Sequence, residues 1–308
     1  MRAVKEQINI DKLKICFRSN EYLIDNLISE FNLNNRESSV DDHVYYLADY
    51  RLVYVDGDED RMTVALDIPW EQEEWHRMGH FIFTLNGKYA PYTFFEYENK
   101  ALYTPFYTWA IPKNSIASMV EYVGQDLGLQ FNNITTVELA LDTNQNILAS
   151  IRRAIRNHEQ LDMIVNGRKV SDPCRKIENY TEAYSSSRTR LLSSPTLYIR
   201  QKKDEGLRLK VYNKTREMAT ESPTKNEYIP EWNNTGKQVI YRAELTIRNE
   251  DITEFCRQTC TPREEAFFWL TTNNKWRAGL YQWCINRLLH FTDRHTDEQV
   301  DILDTLAY

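Results

Sequence analysis

No run of about 18 apolar residues, the length a membrane-crossing helix needs, occurs in the chain. The opening residues Met1-Arg2-Ala3-Val4-Lys5-Glu6 lack the apolar stretch of a secretory signal, so the expected compartment is the cytoplasm and no membrane partner is expected. Cysteine is sparse: Cys16, Cys174, Cys256, Cys260 and Cys284 are odd in number and scattered, which speaks against a disulfide framework or a Cys-x-x-Cys metal clip and predicts reduced thiols. Histidine is sparse too. His76-x₃-His80 has the spacing of a helical metal pair, but Gly79 and the strand pattern that follows argue against a helix there. The chain has no Gly-Lys-Ser/Thr phosphate loop, no Gly-x-Gly-x-x-Gly and no Gly-x-Ser-x-Gly elbow, which leaves P-loop ATPases, dinucleotide enzymes and elbow-type serine hydrolases without support.

What is present is 308 residues of 42% hydrophobic composition, enough to bury a substantial core as one large domain or two smaller ones. The net charge of −7 is unevenly spread. Residues 151–216 hold 16 Lys+Arg against 7 Asp+Glu, a local +9, so the remainder carries −16. Arg188, Arg190, Arg200, Lys202, Lys203, Arg208, Lys210, Lys214 and Arg216, interleaved with Tyr198 and Tyr212, form the pattern of a surface that tracks phosphates. Acidity elsewhere opposes loose binding to any DNA.

Along the chain, the first 35 residues carry helical spacing (Leu13, Cys16, Phe17; then Leu23, Ile24, Leu27, Ile28, Phe31), which predicts a helical segment over residues 1–42. Residues 50–55 and 62–68 flank Asp56-Gly57-Asp58, and residues 81–85 lead through Asn86-Gly87 to 92–97, as antiparallel hairpins do. Pro112 opens an amphipathic helix that stops at Gly124 or Gly128; a strand follows over 136–142, then a helix over about 147–158. Residues 196–201 and 207–215 read as a hairpin, 221–237 as a loop and 239–248 as a strand. Two further helices, over 262–291, carry Trp269, Trp276, Tyr281 and Trp283 as core. The division expected is 1–42, an antiparallel-sheet domain over 43–255 and a helical segment over 256–308, in an α+β fold.

Chemistry is concentrated on three of these strands. Leu207, Leu209 and Val211 alternate with Arg208, Lys210 and Tyr212, so one face is apolar and the other presents a tyrosine among cations. Glu138 and Asp142 share a face of the 136–142 strand, and Arg242, Glu244 and Arg248 share one on the 239–248 strand. Paired carboxylates in an apolar strand are costly unless paired or bound to a cation, and oxygen-only ligands suit Mg²⁺ or Mn²⁺. The alternative is salt bridging of Glu138 and Asp142 to Arg242 and Arg248. For Tyr212, phenol's pKa of about 10 means that a nucleophilic role needs neighbouring cations or a metal. Lys210, Lys214 and Arg216 can supply the charge, while simple packing is the alternative for one of 19 tyrosines.

Val211-Tyr212-Asn213-Lys214 behind a hairpin, Glu138-Leu139-Ala140-Leu141-Asp142 some 70 residues before it and Arg242-Ala243-Glu244 some 30 after it resemble, in order and spacing, the replication initiation factors of small rolling-circle plasmids of the staphylococcal Rep type, and the related relaxases of conjugative elements. Leu270-Thr271-Thr272-Asn273-Asn274-Lys275-Trp276 is similar to that family's carboxy-terminal region, so the resemblance spans about residues 94–291. It implies a metal-dependent enzyme of a bacterial plasmid or other mobile element that nicks and rejoins single-stranded or extruded origin DNA through a 5′-phosphotyrosine. Tyr212 falls on the nucleophile, Lys214 and Arg242 on basic catalytic positions, and Glu138, Asp142 and Glu244 on the acidic positions for Mg²⁺ or Mn²⁺. Arg188, Arg190, Arg200, Lys202, Lys203, Arg208, Lys210 and Arg216 are the expected DNA contacts. A homodimer and a host helicase are the partners it implies. Thr136 stands where the family tends to carry arginine, and Thr246 where it carries a further acid. No His-hydrophobe-His motif is present, consistent with this family and not with the histidine-dependent nicking enzymes. A conjugative relaxase with the same chemistry, or a non-catalytic origin- or operator-binding protein, are the alternative readings.

Overall fold

A computed structural model describes residues 6–31, 43–47, 49–69, 74–103, 122–170, 195–200, 206–227, 229 and 239–300. The chain divides into two compact units, Lys12–Val137 and Met1–Asp11 with Glu138–Tyr308. Strands β1 (Glu6–Arg18) and β7 (Gln130–Thr143) each run from one unit into the other.

In the Lys12–Val137 unit the sheet runs β1-β6-β5-β4-β3-β2, with β2 Val44–Tyr46, β3 Arg51–Gly57, β4 Arg61–Pro69, β5 Trp75–Thr84 and β6 Tyr92–Tyr97. Neighbouring strands in this order pair antiparallel, and the two expected hairpins form. The first turns where Asp58 Oδ1 accepts from the Asp60 and Arg61 amides, and the second at Gly87, whose φ of 80° an L side chain disfavours. Phe81 and Phe95 pair across β5 and β6 with ring centroids 4.6 Å apart, in a core shared with Phe17 and Phe83. Gly79 sits on β5 because a Cβ there would lie 2.2 Å from the Glu96 carbonyl oxygen. His76 and His80 are therefore strand residues. The helix expected from Pro112 lies mostly outside the described residues.

One expectation is corrected in β1. Residues 6–18 are strand, and helix α1 begins only at Glu21 (Glu21–Glu30), where Asn20 Oδ1 accepts from the Tyr22 amide. The apolar residues change face along the strand: Ile8 and Ile10 alternate with the buried Asn9 and Asp11, and Leu13, Ile15 and Phe17 then continue the alternate set that Asn9 and Asp11 begin. Cys16, also buried between Ile15 and Phe17, completes the Leu13/Cys16/Phe17 spacing that reads as helical.

In the other unit the sheet runs β10-β11-β12-β7-β1, with β10 Thr196–Arg200, β11 Arg208–Asn213 and β12 Tyr241–Arg248. Helix α3 (Ile147–Arg156) buries Ile147, Leu148, Ile151 and Ile155; α2 is the short Asn99–Tyr103 turn of the first unit. Strand β11 stops two residues earlier than its pattern suggests. Asn213 Oδ1 accepts from the Arg216 amide and caps α4 (Lys214–Thr220). Helices α6 (Ala266–Thr272) and α7 (Asn274–Leu288) are the two expected near the carboxy terminus, and α5 (Asn249–Thr259), which directly follows β12, was not foreseen. The Tyr281 hydroxyl donates to the Ala243 carbonyl at 3.0 Å and Arg277 Nε to the Ile8 carbonyl at 3.2 Å, tying α7 to β12 and β1. Trp276 and Trp283 pack against Phe255.

A second sheet, β14-β13-β8-β9, closes this unit: β8 Leu161–Val165, β9 Arg168–Lys169, β13 Leu289–Asp293 and β14 Gln299–Val300. The carboxy-terminal region is thus not helical throughout, because Leu289 and Phe291 bury alternately as β13 pairs with β8. The fold is α+β on antiparallel sheet, and no helix among the described residues is long and apolar enough to cross a membrane.

Candidate active site

The site is built by the two-residue period of four strands. On β11, Leu209 and Val211 enter the core while Arg208, Lys210 and Tyr212 share the other face; on β12, Ala243, Leu245 and Ile247 are core while Arg242, Glu244 and Thr246 face with them. The register sets Arg208 opposite Thr246, Lys210 opposite Glu244 and Tyr212 opposite Arg242. Glu138 and Asp142 of β7 and Asp11 of β1 supply three buried carboxyls, and Glu244 a fourth.

The Tyr212 hydroxyl donates to Glu244 Oε2 at 2.9 Å. Lys210 Nζ stands 4.4 Å from the centre of the Tyr212 ring and Lys214 Nζ 5.7 Å, so both ammonium groups lie against its π face. Lys214 reaches the ring from the first turn of α4, not by strand alternation. It is almost fully buried and is paired to Glu217 at 2.7 Å. Arg242 is wholly buried. Its Nε and Nη2 donate to the two Asp142 oxygens at 2.6 and 2.7 Å, and its Nη1 donates to Asp11 Oδ1. Glu138 Oε1 accepts from the Thr246 hydroxyl at 3.2 Å, and Arg208 Nη2 lies 3.6 Å from the same oxygen.

These surroundings set the proton affinities. Burial raises the Tyr212 phenol well above its ordinary value; Arg242 draws it down, and Glu244, Asp11 and Glu217 push it up. The neighbouring cations are in place, but desolvation outweighs them, and the phenol is held protonated beside an acceptor. Glu244 is itself raised, by burial first and then by Asp11 and Glu138, with Lys210 and Arg242 pulling the other way. Burial and Arg242 lower Lys214 to about 8, against the pull of Glu217.

One oxygen from each of Asp11, Glu138 and Glu244 lies within 4.8 Å of the others. Three hard oxygen donors suit Mg²⁺ or Mn²⁺, and the repulsion that raises Glu244 is what a cation would relieve. Each of the three already accepts a hydrogen bond on one oxygen, from Arg242, Thr246 and Tyr212 respectively, which orients the set. Asp142 does not belong to this group: both its oxygens are taken by Arg242, which is the salt bridge left open as the alternative on sequence grounds. Asp11, which was not among the expected site residues, joins Glu138 and Glu244 in the group. The strand period of Ile8, Asn9, Ile10 and Asp11 was the available signal, masked by the helical spacing that follows.

Beside Tyr212 a cavity of about 920 Å³ opens between α3, β10, β11 and α4. Lys210 and Arg216, two of the expected DNA contacts, line it. Arg200 pairs in register with Arg208 on the edge hairpin. Arg188, Arg190, Lys202 and Lys203 lie outside the described residues. Sequence reasoning missed Arg152, Arg153 and Arg156 of α3, which also line the cavity; their position one helical turn into a capped amphipathic helix was legible, but not which strand that helix would face.

No protein-family model matches the chain, and no curated protein matches it. Among solved structures, a rolling circle replication initiator protein from Geobacillus stearothermophilus is similar with a TM-score of 0.42 and 12% sequence identity, over 95% of this chain and 89% of that one.

Proposed function

We propose that the protein is a replication initiator that nicks and rejoins one strand of single-stranded or extruded DNA through Tyr212, as the factors its motifs resemble do. The observation that supports this best is the hydrogen bond from Tyr212 to Glu244, within a group of three carboxylates and beside Lys210 and Lys214. A phenol held protonated against a carboxylate is an unactivated nucleophile already joined to its base. In the proposed step the Tyr212 oxygen attacks phosphorus in line and its proton passes to Glu244. The bond from phosphorus to the 3′ oxygen breaks, and that oxygen takes a proton from solvent. The 5′ phosphate stays on Tyr212 as a diester, and attack by a 3′ hydroxyl reverses the step.

Lys210 and Lys214 place positive charge where the phosphoryl oxygens gain negative charge. Arg242 is a positioning residue in this scheme, because its guanidinium is committed to Asp142 and Asp11. Asp11, Glu138 and Glu244 would hold Mg²⁺ or Mn²⁺, which when bound supplies Lewis-acid stabilisation of the attacked phosphate.

A second reading has its own support: Tyr212 is only 4% exposed, as a packing residue would be. On that reading the protein binds DNA and forms no covalent link. The two separate when wild-type and Tyr212→Phe proteins are incubated with single strands tiling the source replicon, in Mn²⁺ or in EDTA. The nicking reading expects SDS-resistant adducts that require both Tyr212 and metal; adducts at the wild-type level from Tyr212→Phe would refute it.

A further inference from the structure

The cavity beside Tyr212 carries a charge and shape that the cleavage step itself does not use. Among its lining residues, four arginines that the step leaves unused, together with Lys210, stand against two carboxylates, and one of the two, Glu217, is already tied to Lys214. Helix α3 buries Ile147, Leu148, Ile151 and Ile155 on one side, which leaves Arg153 and Arg156 exposed on the other, three residues and about one turn apart. Arg216 enters from α4, the helix that starts two residues after Tyr212. Like charges gathered at this spacing repel unless an anion lies between them, and none of the ion pairs among the described residues engages Arg153, Arg156 or Arg216. Tyr198 and Tyr241, both half-buried, line the same space. Cations that follow a backbone together with aromatic rings for unpaired bases are the two elements of a single-strand groove. A volume of about 920 Å³ also places the cavity at the large end for one small ligand.

We propose that this cavity holds the stretch of single-stranded DNA adjoining the attacked phosphate, with Arg153, Arg156 and Arg216 on its phosphates and Tyr198 and Tyr241 against its bases. Only the placement next to the attacked phosphate rests on the reading of Tyr212 as the nucleophile; binding itself does not require the reaction. The arginines fix the backbone, and the rings accept only bases that are not stacked in a duplex. This site therefore selects an extruded strand over paired DNA before any bond is broken.

The test uses the full chain carrying Tyr212→Phe, so that no covalent trapping contributes, and a short fluorescein-labelled oligothymidylate in EDTA, read by anisotropy across a salt series. Adding Arg153→Gln and Arg156→Gln is expected to weaken binding at least tenfold. It should also flatten the dependence of log K on log salt by roughly 0.7 for each phosphate that the protein no longer neutralises. Both arginines are exposed, so circular dichroism should show an unchanged fold. Tyr198→Ala is expected to weaken binding of the oligothymidylate and to leave an abasic strand of equal length unaffected. Unchanged affinity and salt slope in the arginine variant would overturn the proposal, as would duplex DNA that binds at least as tightly as the single strand through the same residues. Arginine-dependent binding without any adduct from the wild-type protein would leave this subsite standing and remove the nicking reading, whereas adducts with arginine-independent binding would do the reverse.

Discussion

Tyr212 and Glu244 lie on the same face of adjacent antiparallel strands, two positions apart in the register, and are joined by a 2.9 Å hydrogen bond in which the phenol donates. Burial raises Tyr212 well above its ordinary value, so the proton sits on the phenol and Glu244 is its acceptor. Glu244→Gln preserves the shape and removes the base. Adduct formation is expected to fall by roughly 10²–10⁴-fold with the circular dichroism spectrum unchanged, measured as initial rates on an origin-containing single strand. A rate within threefold of wild type would show that the proton leaves by another route.

The alkaline pH dependence follows from Lys214. The rate should fall above about 8 as Lys214 loses its charge. Lys214→Arg should move the alkaline limb upward, since a guanidinium stays charged. A limb that does not move in Lys214→Arg would free Lys214 of this role.

Lys214 also links stability to pH. Its folded value of about 8 lies below the ordinary 10.5, so between those values the unfolded chain binds more protons than the folded one, and stability rises with pH across that window. Relative to Lys214→Met, wild type should gain on the order of 3 kcal/mol between pH 8 and 10.5, measured by urea unfolding. A difference that stays constant across the window would contradict the depressed value.

Arg242 and Asp142 form a buried bidentate pair, with Asp11 on the remaining guanidinium nitrogen. Arg242→Met leaves two buried carboxylates without their counter-ion and is expected to cost about 3–5 kcal/mol. Asp142→Asn should lower stability while leaving the metal requirement intact. Asp11→Asn and Glu138→Gln should instead abolish the stabilisation that Mn²⁺ gives wild type, about 2.7 kcal/mol at a hundredfold excess over Kd and read as a rise in melting temperature. If Asp142→Asn alone removes the Mn²⁺ response, the ligands are those the sequence suggested and not the cluster containing Asp11.

The parts of this site that are local in sequence were legible. The hairpin of β10 and β11 places Tyr198 opposite Lys210, and the alternation of Leu209 and Val211 with Lys210 and Tyr212 gives the reactive face. Two local details were not: the Asn213 cap that turns Lys214 into a helix residue, and the change of apolar face along β1 that imitates a helix. Asp11 lay hidden for a topological reason. Its neighbours in the site are more than 120 residues away, and nothing in the pattern of residues 6–18 tells which strand β1 will lie beside. The competition between Arg242 and a metal for Asp142 was legible in the two shared faces, and in the structure both Asp142 oxygens accept from Arg242.

The measurement that bears most directly on the central claim is to trap the protein on single-stranded origin DNA in Mn²⁺, digest with nuclease and protease, and locate the remaining nucleotide by mass spectrometry. The expected product is a 5′-phosphodeoxynucleotide on the tyrosine of the peptide containing Val211-Tyr212-Asn213. A nucleotide on any other residue, or none on a strand the protein demonstrably binds, would contradict it.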